Sequence, residues 1–191
     1  MRGKTKFSKE EIAIAVCGSV NSAEQKLLQL LLKRIDEDNA NLKEVEQAME
    51  ELFAPYAKEV DIIDSIPGID KITAMTVLSE ISVTPKNSFP TAGHMTKWAG
   101  LVPRNDESAQ SMKSRKILPG NQYIRTILCQ AAWSAVRVRN SSFAKWFWSH
   151  QGHKGQKKAI IAVARKLLEM VYILLEREHY YDPLYPTRIQ R

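Results

Sequence analysis

Apolar residues recur at Leu28, Leu31, Ile35, Leu42, Val45, Met49, Leu52 and Tyr56, on alternating steps of three and four. This spacing lays one stripe along one side of a helix, and its persistence over several heptads predicts a coiled-coil helix across residues 21–60. Ser22 is the expected cap, and the helix is expected to reach about Lys58. Asp38 is the one break in the stripe; a polar residue in such a seam fixes register or oligomeric state at some cost in stability. Two partners for the stripe stay open: a second chain, giving a homo-oligomer, or a helical layer of the same chain. Before it, residues 1–20 form a basic lead-in, with a short helix expected from Ser8 to Val16 and ended by Gly18.

A second pattern follows over 61–81. A short helix should end near Ile66, because Pro67 disfavours helical backbone before it, and Gly68 accepts a positive φ. A further helix then carries Ile72, Met75, Thr76 and Ser79 along one side. The unit resembles a helix-hairpin-helix, in which the backbone of Pro67, Gly68 and Ile69, with Lys71 beside it, would meet a DNA phosphate without reading sequence. The same residues also fit a plain αα-hairpin used only for packing. Residues 82–91 are turn-rich, and His94 to Ala99 fit a short helix.

From Gly100 the chain becomes a polar, serine-rich, basic loop that feeds a helix opened by Pro119, Gly120 and Asn121. That helix is expected to run to about Arg139, with Ile124, Ile127, Leu128, Ala131, Ala135 and Val138 buried. Phe143, Trp146, Phe147 and Trp148 then cluster beside Lys145. Basic and aromatic residues so mixed can stack on unpaired bases, but at this density a core or docking cluster is the preferred reading. Residues 150–158 are expected to be a basic loop. A last helix from about Gln156 to His179 buries Ile160, Val163, Ala164, Leu167, Leu168 and Val171, and Pro183 and Pro186 mark a tail at 182–191. No strand pattern competes, so the fold class is all-α, with residues 61–181 as one helical domain.

Composition narrows the partners. A net charge of +7 favours an anionic partner, nucleic acid before membrane, against the alternative of a basic surface that serves only solubility. Cys17 and Cys129 are the only cysteines and lie far apart, so neither a disulfide framework nor a metal site is expected, and the setting should be reducing and cytoplasmic. No signal peptide or bilayer-spanning run appears. His150 and His153 have no further ligand at metal spacing and are read as surface residues.

A helix start behind a hydroxyl-rich loop suits a phosphate, since its amides are unpaired and its dipole favours anions. Ser108 is the best nucleophile candidate, with Ser111 and Ser114 as rivals. Arg104, Lys113, Arg115, Lys116, Asn121 and Arg125 are the candidate phosphate contacts near it. A serine attacks only when a base takes its proton and cations stabilise the developing charge; the cations are present in sequence, and His94 is the one nearby histidine.

The order of parts completes the reading. Ile66-Pro-Gly-Ile69, Leu78-Ser-Glu-Ile81, Trp98-Ala-Gly-Leu-Val-Pro103, Asn105-Asp-Glu-Ser-Ala109, Lys113-Ser-Arg-Lys116, Gly120-Asn-Gln-Tyr-Ile-Arg125, Gln130-Ala-Ala-Trp133 and the run Lys157 to Lys166 follow one another. Together they resemble the C-terminal half of insertion-sequence transposases of the 110/116/902 type, with the heptad helix similar to that family's central coiled coil. The resemblance covers residues from about Ser19 to Tyr181. It implies a bacterial, nucleoid-associated DNA recombinase, guided by a bridge RNA, that moves an insertion sequence by serine-mediated phosphoryl transfer. It also implies a composite site: acidic residues holding Mg²⁺ in an N-terminal RuvC-like domain, and a serine that corresponds here to Ser108. Gln110 and Ser111 stand where the family has a small and a basic residue, and Lys113 is the substitute charge. No acidic domain is expected in this chain. The expectation is therefore a DNA-binding C-terminal portion, inactive alone, binding no cofactor itself and needing Mg²⁺ only with that domain. The alternatives are a non-enzymatic helix-hairpin-helix module that binds nucleic acid and an inactive transposase fragment.

Overall fold

The computed structural model describes residues 21–103, 107–108, 111–112 and 119–183, with the backbone alone at 107–108, 111–112 and 154. The packing divides the chain into two units, Met1–Ala48 and Met49–Arg191.

Helix α1 spans Ser22–Phe53. Its cap is Asn21, one residue earlier than expected: Asn21 Oδ1 accepts from the Glu24 amide at 2.8 Å, and Glu24 Oε2 accepts from the Asn21 amide at 2.9 Å. Two orphan amides are thus satisfied reciprocally. The helix stops at Phe53 instead of reaching Lys58, because Pro55 has no amide to continue the ladder. Ala54–Tyr56 tightens to a 3₁₀ turn and α2 starts afresh at Ala57–Asp64. No residue of α1 is buried, and Leu28, Leu31, Ile35, Leu42 and Val45 along the predicted stripe are 50–58% exposed. Asp38, the break in the stripe, pairs with Arg34 one turn back at 3.9 Å.

The second unit is a helical core. After α2 come α3 (Lys71–Ile81), α4 (Pro85–Ser88), α5 (Ala92–Trp98), α6 (Gln122–Ala135), α7 (Ser142–Lys154) and α8 (Gln156–Arg177). The predicted α8 is close to the observed one, ending where Glu178 adopts left-handed backbone at φ 52°. Its buried side chains recur on steps of three and four, and α2, α4, α5, α6 and α7 all rest against it. The class is all-α, as read from the sequence; the described residues also include a two-residue antiparallel ladder, β1 (Glu107–Ser108) with β2 (Ser111–Met112).

Two expectations are corrected. Helix α6 ends at Ala135, not near Arg139, so Val138 lies outside its buried stripe and is 42% exposed. The cause is the tight turn into α7: Asn140 takes φ 63°, and the Ser141 hydroxyl both donates to Ala135 O at 2.9 Å and accepts from the Ala144 amide at 3.0 Å. The predicted loop at 150–158 is helical through Lys154, and Gly155, at φ 77°, alone separates α7 from α8.

Among the described residues no helix is long and apolar enough to cross a membrane.

Candidate nucleic-acid interface

The serine loop leaves the core after α5 and returns at α6. Its two ends meet: a Cβ at Gly120 would lie 2.3 Å from the Gly100 amide nitrogen, so only glycine lets the strands pass this closely. The Asn121 amide donates to Trp98 O at 3.2 Å and closes the neck. Beyond it the backbone of Ser108 pairs with Ser111 in the short ladder, setting the preferred nucleophile candidate opposite its nearest rival. Ser114, Arg104, Lys113, Arg115 and Lys116 lie outside the described residues.

At the root of this loop lies an open groove of about 710 Å³, lined by His94, Lys97, Trp98, Pro119, Gly120 and Asn121. Thr91 caps α5 and its hydroxyl sits 2.8 Å from His94 Nδ1, fixing that ring at the groove. Lys97 is exposed there and has no ion-pair partner among the described residues. The sequence reading passed over Lys97, because only the fold brings α5 beside the start of α6.

Asn121 is held at both ends of its amide. Its Oδ1 accepts from the Tyr123 and Ile124 amides, and its Nδ2 donates to Glu80 Oε2 at 2.6 Å. It therefore shapes the helix start, with one of its two side-chain N–H donors committed to Glu80. Arg125 follows one turn later, half-buried on α6. Burial pushes the Cys129 thiol up, with the Arg125 charge opposing, so that thiol is not a poised nucleophile.

The hairpin turn lies elsewhere. Gly68, at φ 89°, backs onto α6 so tightly that a Cβ would meet Ala135 N at 2.3 Å. Ile66 and Ile69 are buried, and the Ile69 amide donates to Ile66 O at 3.0 Å. The start of α3 already holds an anion: Asp70 Oδ1 accepts from the Thr73 amide at 2.8 Å, and the hydrogen bonds from Thr73 hold its carboxyl below the usual range. Lys71 pairs with Glu50 at 3.1 Å. This geometry matches the packing reading of the hairpin. Pro67, Gly68 and Ile69 meet the far end of α6 from Asn121, about 20 Å away at the rise of a helix. Among the described residues, the hairpin candidates and Asn121 therefore lie apart on α6 and do not form one cluster.

Among the described residues no three His, Cys, Asp or Glu side chains come together as a metal set. His150 stacks on Trp146, with ring centroids 4.2 Å apart, and His153 is exposed on the same helix.

The family model for the IS116/IS110/IS902 transposases matches residues 60–148 of this chain. The chain is 30% identical over 124 residues to the pilin gene-inverting protein of Moraxella bovis, covering 63% of this chain and 38% of that protein. It is 30% identical over 123 residues to the transposase for insertion sequence element IS1111A of Coxiella burnetii (62% and 33%). It is 24% identical over 132 residues to an uncharacterized protein of insertion element IS110 in Streptomyces coelicolor (68% and 32%). The chain spans about a third of the length of the curated relatives it matches.

Proposed function

We propose that this chain is the DNA-contacting portion of an insertion-sequence transposase whose Ser108 attacks a phosphodiester. The observation that carries this reading is the match over residues 60–148, a span that includes the whole serine loop and both glycines of its neck. In the step, Ser108 gives its proton to a base, Oγ bonds to phosphorus, and one ester oxygen leaves as a hydroxyl, so that DNA stays linked to the protein. Lys113, Arg115, Arg125 and Lys97 are the cations assigned to the charge that develops on phosphate. Mg²⁺ and the acidic residues that hold it are supplied by a partner domain outside the 191 residues and complete the site. DNA is the substrate, a bridge RNA its guide, and the apolar stripe of α1 pairs copies of the chain.

The test is incubation with labelled element-end DNA and Mg²⁺, with and without the acidic domain of a relative. The chain alone should leave the DNA intact. With that domain, a covalent adduct should appear on a denaturing gel, vanish in Ser108→Ala and persist in Ser111→Ala and Ser114→Ala. An adduct that survives Ser108→Ala sinks the assignment of the nucleophile.

A further inference from the structure

The aromatic cluster after α6 is not all core. Phe143 and Phe147 are 4% and 1% exposed, whereas Trp148, on the same helix, is 61% exposed. Its indole meets Phe147 edge to face, with centroids 5.3 Å apart, and Phe147 in turn meets Trp133 at 5.9 Å. A large aromatic ring is therefore held by a fixed floor while most of its surface stays in water, an arrangement that packing alone does not require.

This ring borders an open groove of about 800 Å³ between the end of α6 and the start of α7. Arg137, Arg139 and Lys145 line the groove, no carboxylate does, and none of the three is held in an ion pair among the described residues. The turn that carries the arginines is rigid, because the Ser141 hydroxyl ties it to Ala135 and Asn140 sits at φ 63°. Three cations around a broad aromatic face match the two halves of a nucleotide: phosphates on the rim and a base on the ring.

We propose that this groove takes an unpaired nucleotide of single-stranded DNA, with the base stacked on Trp148 and the flanking phosphates on Arg137, Arg139 and Lys145. The proposal rests on the reading of the chain as a DNA transposase part, since strand exchange opens a duplex and leaves unpaired bases to be held. Duplex DNA offers no free base face, so stacking selects the open strand.

The test is fluorescence anisotropy of the full chain with labelled single-stranded DNA, the same sequence as a duplex, and the same sequence as RNA. Trp148→Ala should weaken single-strand binding by about tenfold or more, the loss expected for one stacked base, and leave duplex binding within about twofold. Trp148→Phe should keep most of the affinity. Arg137→Gln and Arg139→Gln should each lower the salt dependence by roughly one phosphate's worth on the single strand. Because Trp148 is exposed, its variants should melt with the wild type. Equal losses on single strand and duplex, an unaffected Trp148→Ala, tighter binding to RNA than to DNA, or displacement by a polyglutamate peptide as readily as by DNA would each overturn the proposal. Duplex binding with no Trp148 effect sinks this site alone, whereas failure to bind any DNA sinks the transposase reading as well.

Discussion

Gly120 lies backbone to backbone against Gly100, so the loop that carries Ser108 leaves and re-enters the core through one neck. Contact this close leaves no room for a methyl group. Gly120→Ala should destabilise the chain by about 1–3 kcal/mol, the range for an overpacked core position. Gly68→Ala should do at least as much, because the new side chain meets α6 backbone and the position also has positive φ. Thermal unfolding followed by circular dichroism checks both; a Gly120→Ala protein that melts like the wild type removes the neck.

Asn121 joins the neck to α3 by capping α6 and donating to Glu80. Asn121→Ala should cost about 1–2 kcal/mol in urea unfolding, as for other lost N-caps. Asn121→Asp retains the cap but sets a carboxylate against Glu80. Glu80→Gln should recover part of that loss, and no recovery would mean the two side chains are not coupled.

Asp70 gives a pH-dependent term. Its carboxyl is held below the ordinary value by the Thr73 hydrogen bonds, so its contribution is present above the unfolded-state pKa and is lost as pH falls through the folded one. Asp70→Ala should be less stable than wild type by about 1 kcal/mol near neutrality. The gap should close below about pH 4, where the unfolded carboxyl begins to hold its proton. A gap that persists unchanged into acid would assign the effect to something other than the cap.

Helix α1 exposes Leu28, Leu31, Ile35, Leu42 and Val45 on one stripe. If that stripe pairs copies, sedimentation should show an associated wild type and a monomeric Leu31→Asp, Leu42→Asp variant, because each charge would be buried in the seam. A wild type that stays monomeric at high concentration refutes the pairing.

Much of the helical core was legible because its apolar residues keep a helical period. Ile160, Val163, Ala164, Leu167, Leu168 and Val171 mark α8 almost to its ends. Helix α7 was not legible: Phe143, Trp146 and Phe147 keep the period, but Trp148, His150 and Gly152 blur it. Pro55 was visible, yet the apolar seam continued past it to Tyr56 and hid the break. Caps were readable as residue types at Asn121. Their second partners were not, since Glu80 lies forty-one positions away and only packing brings it near. The same holds for the meeting of Gly100 with Gly120 and for Lys97 at the groove. Local pattern encodes elements, while the site is made of approaches between them.

Helix α8 is synthesised after every helix it covers. As α2, α4, α5, α6 and α7 leave the ribosome, the parts of their apolar faces that α8 covers stay open. Those faces stay adhesive until α8 arrives. A premature stop before α8 would send an open, chaperone-dependent polypeptide to the proteases, even though the serine loop and both neck glycines had already been made.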